Sequence, residues 1–442
     1  MSSLSSVSNN RPARRAMEWW KSLRGLRRAS ADLIVLLWCL FAAKSNAADA
    51  TAVERGAYLA RAGNCISCHT IPDGRPFAGG VAFETDFGTI YSTNITPDAE
   101  TGIGRWSQAD FVAAMRRGVR PNGEHLYPAF PYTAYALSTD ADLADLFAYF
   151  RSIDPVAQVA PANEMRFPFG FRPLLGLWKA LFLNDRPVAP ALTASDPQLR
   201  RGAYLVEALG HCSACHSPRG WLGNERDDQR FAGGEYRHPV AGVGTLPWSA
   251  PNLTAAPRGL AAWAEEDIAA YLATGRNGFI ETFGPMNEVV MNSTRYLTNA
   301  DHRAMARYLK SLPARAEPEA TTPDAQLLGR GRTVYNLHCG TCHLPTGLGD
   351  PEMGPRLAAG SLVVQDANPA SMLNAILYAP EGPHSRWPDA GLPPWRNPMD
   401  AFQYLLDDDE VAAVATFIRT SWGNRAGAVS EAQVRRQRPE TY

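Results

Sequence analysis

One five-residue pattern occurs three times in this 442-residue chain, and it constrains the chain more than any other feature. The copies are Cys65-Ile66-Ser67-Cys68-His69, Cys212-Ser213-Ala214-Cys215-His216 and Cys339-Gly340-Thr341-Cys342-His343. Two thiols three positions apart on one helical turn face the same side, and the adjoining imidazole can turn to the same group. Cys-x-x-Cys-His is the spacing at which both thiols add to haem vinyl groups while the histidine binds the iron. The seventh cysteine, Cys39, lies in an N-terminal segment that reads as removable, so the motifs use every other cysteine. Disulfides need no histidine at a fixed offset, a thioredoxin-like pair does not recur three times, and zinc gathers four ligands from paired knuckles. The expectation is three covalently bound haem c groups. Their binding residues are Cys65, Cys68 and His69; Cys212, Cys215 and His216; and Cys339, Cys342 and His343.

The repeat extends beyond the motif. Arg55-Gly56-Ala57-Tyr58-Leu59 precedes the first copy, Arg201-Gly202-Ala203-Tyr204-Leu205 the second, and the looser Gly331-Arg332-Thr333-Val334-Tyr335 the third. Asn94-Ile95-Thr96, Trp106, Asp110 and Gly118 match Asn252-Leu253-Thr254, Trp263, Asp267 and Gly275. Each copy ends in apolar residues at three- and four-residue spacing, which predicts closing helices over 142–153, 301–312 and 409–421. Proline-rich stretches separate the copies. The predicted fold is all-α, with three tandem class I-like cytochrome c domains at 50–155, 198–314 and 325–425. Linkers are expected at 156–197 and 315–324, and a polar tail at 426–442. The first linker is too apolar for a solvated tether, since it contains Phe167-Pro168-Phe169-Gly170-Phe171 and the run from Leu174 to Leu183. The chain's own domains, a partner subunit or a membrane surface would cover it.

Seven basic residues from Arg11 to Arg28 precede an uncharged run from Leu33 to Ala43, followed by Ser45-Asn46-Ala47. This reads as a signal peptide over residues 1–47, the alternative being an N-terminal anchor, for which the apolar run is short of the roughly 20 residues a span needs. Without it, acidic residues outnumber basic ones by seven, and nothing favours nucleic acid.

An iron that only passes electrons fills its sixth position, and methionine there raises the potential relative to a second histidine. Met399, in Pro398-Met399-Asp400, and Met286, in Gly284-Pro285-Met286, each stand one loop or less before the closing segment of their copy. In the first copy Phe130 occupies the place of Met286, while Met115 replaces Leu272, so a methionine has moved between two positions of one pocket. Met115 is the candidate there, with Met165, His125 or an open site as rivals. The expected metal ligands are thus His69, Met115, His216, Met286, His343 and Met399. His211 and His338 precede their motifs on the proximal side, and His238, His302 and His384 read as surface or hydrogen-bonding groups.

Tyr91-Ser92-Thr93-Asn94-Ile95-Thr96-Pro97-Asp98, Gly102-Ile103-Gly104-Arg105-Trp106 and Leu126-Tyr127-Pro128-Ala129-Phe130-Pro131-Tyr132, with the three motifs, resemble the tri-haem cytochrome c subunit of bacterial membrane-bound dehydrogenases. The resemblance runs from about residue 50 to Asn424. It implies a partner catalytic subunit of flavin, quinone or molybdenum type, acting on alcohols, sugars, gluconate or aldehydes. It further implies that electrons pass through the haems to ubiquinone or a terminal oxidase on the periplasmic face of the inner membrane. Met286 and Met399 fall where that family's distal methionines fall. Some relatives end in an apolar anchor, whereas this chain ends in Val434-Arg435-Arg436-Gln437-Arg438-Pro439, so peripheral attachment is expected. No nucleotide-binding glycine fingerprint or propeller repeat occurs, so a partner would do the substrate chemistry. The expected role is an electron-transfer subunit of an oxidoreductase complex. The alternatives are a haem enzyme of peroxidase or nitrite reductase type with an open first site, or a free-standing carrier.

Overall fold

In each copy the helix that precedes the motif crosses the closing helix at a glycine. The computed structural model describes residues 50–183, 189–240, 242–379, 382–383, 387, 391 and 398–438; the expected signal segment with Cys39, and His384, lie outside them. Helix α1 (residues 50–62) leads into α2 (Cys65–His69), and α7 (Pro197–Tyr204) into α8 (Ser213–His216). In the third copy α12 (Ala325–His338) leads into α13 (Gly340–His343). The closing helices are α5 (Asp140–Ser152), α11 (Asn299–Ser311) and α16 (Asp408–Thr420). A Cβ on Gly56, Gly202 or Gly331 would lie 2.0, 1.9 or 2.1 Å from the carbonyl oxygen of Asp145, Ala304 or Ala413, so only glycine lets the helices approach this closely. Ion pairs Arg55–Asp145, Arg201–Asp301 and Arg330–Asp409 flank the crossings. Thr139, Thr298 and Asp407 start the closing helices by accepting from the backbone N–H three residues on.

Between motif and closing helix, each of the first two copies carries a helix ended by a left-handed glycine. These are α3 (Gln108–Arg117), ended by Gly118, and α9 (Glu265–Thr274), ended by Gly275. Short helix α4 (Tyr132–Tyr135) follows in the first copy and α10 (Pro285–Asn292) in the second. The third copy has α14 (Leu362–Gln365) and α15 (Ala370–Tyr378).

The expectation of an all-α fold is wrong. Strands β1 (Ala82–Thr85), β2 (Gly88–Tyr91) and β3 (Glu164–Met165) form one antiparallel sheet. A longer hairpin joins β4 (Gly234–Val240) to β5 (Gly244–Ala250), in register from Gly234↔Ala250 to Val240↔Gly244. Except for β3, which comes from the first linker, these strands lie between a motif and its Asn-x-Thr segment, in stretches too short and too mixed for alternation to stand out. The hairpin reaches both the first and the third copy. Thr245 donates to Glu84 of β1 at 2.8 Å, and Ser249 exchanges hydrogen bonds with Ser371 of α15.

The picture of three tandem domains also needs correcting, because residues 55–442 form one compact unit in which the first two copies share a core. Leu59, Phe111, Met115, Leu143 and Leu146 belong to the same buried cluster as Leu205, Val206, Leu209, Ile268 and Leu309. The two copies also exchange side chains reciprocally. Tyr58 donates to Asp301 at 2.5 Å and accepts from the Thr298 amide at 3.1 Å. Tyr204 donates to Asp142 at 2.5 Å and accepts from the Thr139 amide at 3.2 Å. The third copy has Thr333 at this place, exposed and turned back onto Gly329 of its own helix. Its core around Val334, Tyr335, Leu373, Leu377 and Val411 is separate. Helix α17 (Glu431–Arg435) folds back on that core through Val429 and Val434.

The first linker carries α6 (Leu174–Phe182). One side is docked: the Trp178 indole donates to Leu222 O at 3.0 Å, and buried Lys179 donates to the carbonyls of Arg117 and Gly118 that end α3. The other side exposes Leu174, Leu177 and Leu181, next to Phe171 and to Phe167, which is 97% exposed. Among the described residues no helix is long and apolar enough to cross a membrane.

Candidate haem-binding sites

The three motif histidines make one and the same hydrogen bond. His69 Nδ1 is 2.6 Å from Thr93 O, His216 Nδ1 is 2.7 Å from Pro251 O, and His343 Nδ1 is 2.8 Å from Pro355 O. A carbonyl can only accept, so Nδ1 carries the proton and Nε2 keeps its lone pair. Burial lowers the pKa of all three imidazoles and favours the neutral form, the form that binds a metal. A hydrogen bond of this kind on the far nitrogen orients a metal-ligating histidine.

The acceptor carbonyls are themselves held. Asn94, next to Thr93, accepts from the Thr96 amide and hydroxyl and donates to Val156 O. Asn252, next to Pro251, accepts from the Thr254 amide and hydroxyl. The repeated Asn-x-Thr therefore fixes the loop that fixes the histidine. In the third copy the loop is Gly354-Pro355, where a Cβ on Gly354 would crowd Cys342 and come within 3.4 Å of the His343 ring.

The six motif cysteines form no disulfide. Burial pushes Cys65, Cys68, Cys212 and Cys339 up to about 12 and raises Cys215, so these sulfurs keep their protons. A protonated thiol can add hydrogen and sulfur across a vinyl double bond. Among the described residues no cluster of three or more His, Cys, Asp or Glu could hold a metal ion. A further sign of fit is Trp248. Its Nε1 is buried without a protein partner, and its ring packs on Gly284 and Phe283, beside Met286. Such a donor suits an anionic group carried by the cofactor.

The structural match of the first two copies passes through the candidate distal ligands. The Leu126 amide bonds Gly118 O at 2.7 Å as the Thr282 amide bonds Gly275 O at 2.6 Å, and four residues on from each stand Phe130 and Met286. Phe130 lies 5.4 Å from the Tyr135 ring, packed against the shared core, while Met286 opens α10 beside Val290, Met291 and Trp387. Met115 is on α3, 7% exposed, and Leu272 holds the same place on α9. Met399 packs against the third core, next to a stretch outside the described residues.

The rivals are placed elsewhere. Met165 is in β3, paired with Gly88. His125 faces α6 with both ring nitrogens, its Nδ1 accepting from Lys179 at 3.0 Å and its Nε2 close to Gly176. His302 donates from Nε2 to Thr294 O, His211 lies against the Tyr135 ring, His338 against Phe402, and His238 beside Tyr236 in β4.

Comparison with known proteins places this site in context. The Cytochrome c family model matches residues 53–154 and 328–422. The chain is 39% identical over 411 residues to the cytochrome c subunit of a quinone alcohol dehydrogenase from Gluconacetobacter polyoxogenes, covering 90% of this chain and 86% of that one. It is 39% identical to the gluconate 2-dehydrogenase cytochrome c subunit of Pantoea cypripedii, over 86% and 88% of the two chains. With the fructose dehydrogenase cytochrome subunit of Gluconobacter japonicus the identity is 34%, over 87% and 82%.

Proposed function

Because the chain belongs to the family of dehydrogenase cytochrome c subunits, we propose that it carries electrons from a partner dehydrogenase, of flavin, quinone or molybdenum type, to ubiquinone or a terminal oxidase. Three haem c groups are held by Cys65, Cys68 and His69, by Cys212, Cys215 and His216, and by Cys339, Cys342 and His343. When bound, haem supplies one-electron exchange between ferric and ferrous iron. The observation that carries this reading is the repeated Nδ1–H bond of His69, His216 and His343, which prepares three identical neutral ligands. Met286, Met399 and Met115 complete the ligand sets, their thioethers keeping water off the iron.

The protein works after export, on the periplasmic face of the inner membrane. The outward side of α6 with Phe167 and Phe171 supports peripheral contact there, since an apolar face beside a docked one suits a surface-bound segment. Phe130 favours a second reading, in which the first site lacks a methionine and binds a small ligand.

The test is to load the protein in a cytochrome c maturation host and record the methionine-to-iron charge-transfer band in wild type and in Met115→Ala, Met286→Ala and Met399→Ala. The relay reading expects each variant to lose about a third of the band, from three equivalent sites. A high-spin haem in wild type, with Met115→Ala silent, would instead establish the open first site.

A further inference from the structure

Asn292 ends α10, the helix of the second copy that begins with Pro285-Met286, and its carboxamide bonds to both other copies. The Trp387 indole of the third copy donates to Asn292 Oδ1 at 3.2 Å. Asn292 Nδ2 donates to Ser67 Oγ at 2.9 Å, inside the first Cys-x-x-Cys-His motif. The Ser67 hydroxyl donates in turn to Asn64 Oδ1 at 2.8 Å, and Arg61 donates to Asn292 O at 3.2 Å. The orientation follows from chemistry. An indole nitrogen is a donor only, so it takes Oδ1, which turns Nδ2 to Ser67 and sends the hydroxyl proton on to Asn64. A directed chain of hydrogen bonds thus runs from Trp387 through Asn292 and Ser67 to the residue that precedes Cys65.

The partner of Asn292 is particular to the first motif. Ala214 stands at the place of Ser67 in the second motif, and Thr341 in the third is exposed. Six residues separate Met286 from Asn292, about 9 Å along a helix, so a displacement at one end of α10 reaches the other as a rigid shift.

We propose that Asn292 is a positioning residue that ties the attachment turn of the first haem to the helix bearing Met286 and to Trp387 of the third copy, so that the ligand geometry of the second haem depends on the first motif. This rests on the relay reading, with Met286 as a ligand. The test uses the haem-loaded full chain with Asn292→Leu, Asn292→Asp, Ser67→Ala and the double variant Asn292→Leu/Ser67→Ala. Midpoint potentials and charge-transfer bands are read by spectroelectrochemistry, and amide exchange is measured over residues 64–68.

Ser67→Ala, which leaves the second copy unchanged, should shift the band and potential assigned to Met286 in the same direction as Asn292→Leu, and the double variant should shift them no further. Exchange over residues 64–68 should rise roughly fivefold to tenfold in every variant, the loss of about one hydrogen bond. A second-haem signal unmoved by Ser67→Ala, or additive shifts in the double variant, would overturn the proposal. Should Met286→Ala leave the wild-type spectrum unchanged, the ligand assignment fails instead, and amide exchange alone decides whether the tie exists: rates equal to wild type overturn it.

Discussion

The first two copies of the repeat and the third are joined by different physics. Between the first two, an apolar core is continuous, and Tyr58 and Tyr204 each cross to the other's aspartate. Between the second and third, Leu362 joins the shared core and Trp387 packs on Val290 and Met291, and hydrogen bonds make up the rest of the seam. Ser249 and Ser371 exchange hydrogen bonds, Asn374 donates to Pro247 O at 2.9 Å, and the Trp263 indole donates to Gly360 O at 2.7 Å. A continuous apolar core makes two copies melt as one, whereas a seam of hydrogen bonds with a small apolar contact holds orientation with less cooperative stability. The duplicated pair is therefore the structural unit, and the third copy is attached to it.

Core truncation should show the difference most strongly. Leu205→Ala and Leu373→Ala each remove a side chain at most 1% exposed and should cost about 2–5 kcal/mol. Calorimetry followed by haem absorbance should show Leu205→Ala lowering the transition of the first two copies together, and Leu373→Ala that of the third alone. Next comes pH. Asp366 faces Ser249 at this seam, and burial pushes its carboxyl up to about 6, with Ser249, Arg419 and Arg258 opposing. Its folded pKa exceeds the unfolded one, so its contribution is complete below the ordinary carboxylate range and is lost as pH rises through about 6, by up to about 3 kcal/mol. Asp366→Asn should flatten that dependence in the third-copy transition and leave the paired copies unchanged.

Tyr58→Phe or Tyr204→Phe should cost about 1.5–3 kcal/mol, because each leaves a carboxylate short of a donor. Urea unfolding monitored in the first two copies checks this; a loss confined to one copy would break the idea of a shared unit. The smallest effect belongs to Thr333→Phe, which should stay within about 0.5 kcal/mol, since that position has no mate.

The proposed attachment residues stand out in the sequence because covalent chemistry demands a fixed local spacing. The residues at the helix crossings also leave a trace, as an Arg-Gly pair recurs shortly before each motif. The strands leave none. Tyr236 and Trp248 are paired across β4 and β5, but each sits in a run of mixed polarity that no periodicity singles out. The joining of the first two copies was hidden because Tyr58 reads as an ordinary repeat residue until Asp301 is seen beside it. The one written hint was the third copy, where Thr333 takes the tyrosine's place. Nothing in the sequence marks Ser67: its hydroxyl donates to nearby Asn64, and Asn292, far along the chain, donates to it.

The reciprocal tyrosines also set a timetable. A chain that emerges amino end first presents Tyr58 long before Asp301, which lies 243 residues later, while Arg330 and Asp409 are 79 residues apart. The first copy must wait, incompletely closed, until most of the second has arrived, and the last copy can close on itself soon after it appears. The copy made first is thus finished only with the second, and whatever delivers its haem before then meets a half-open host.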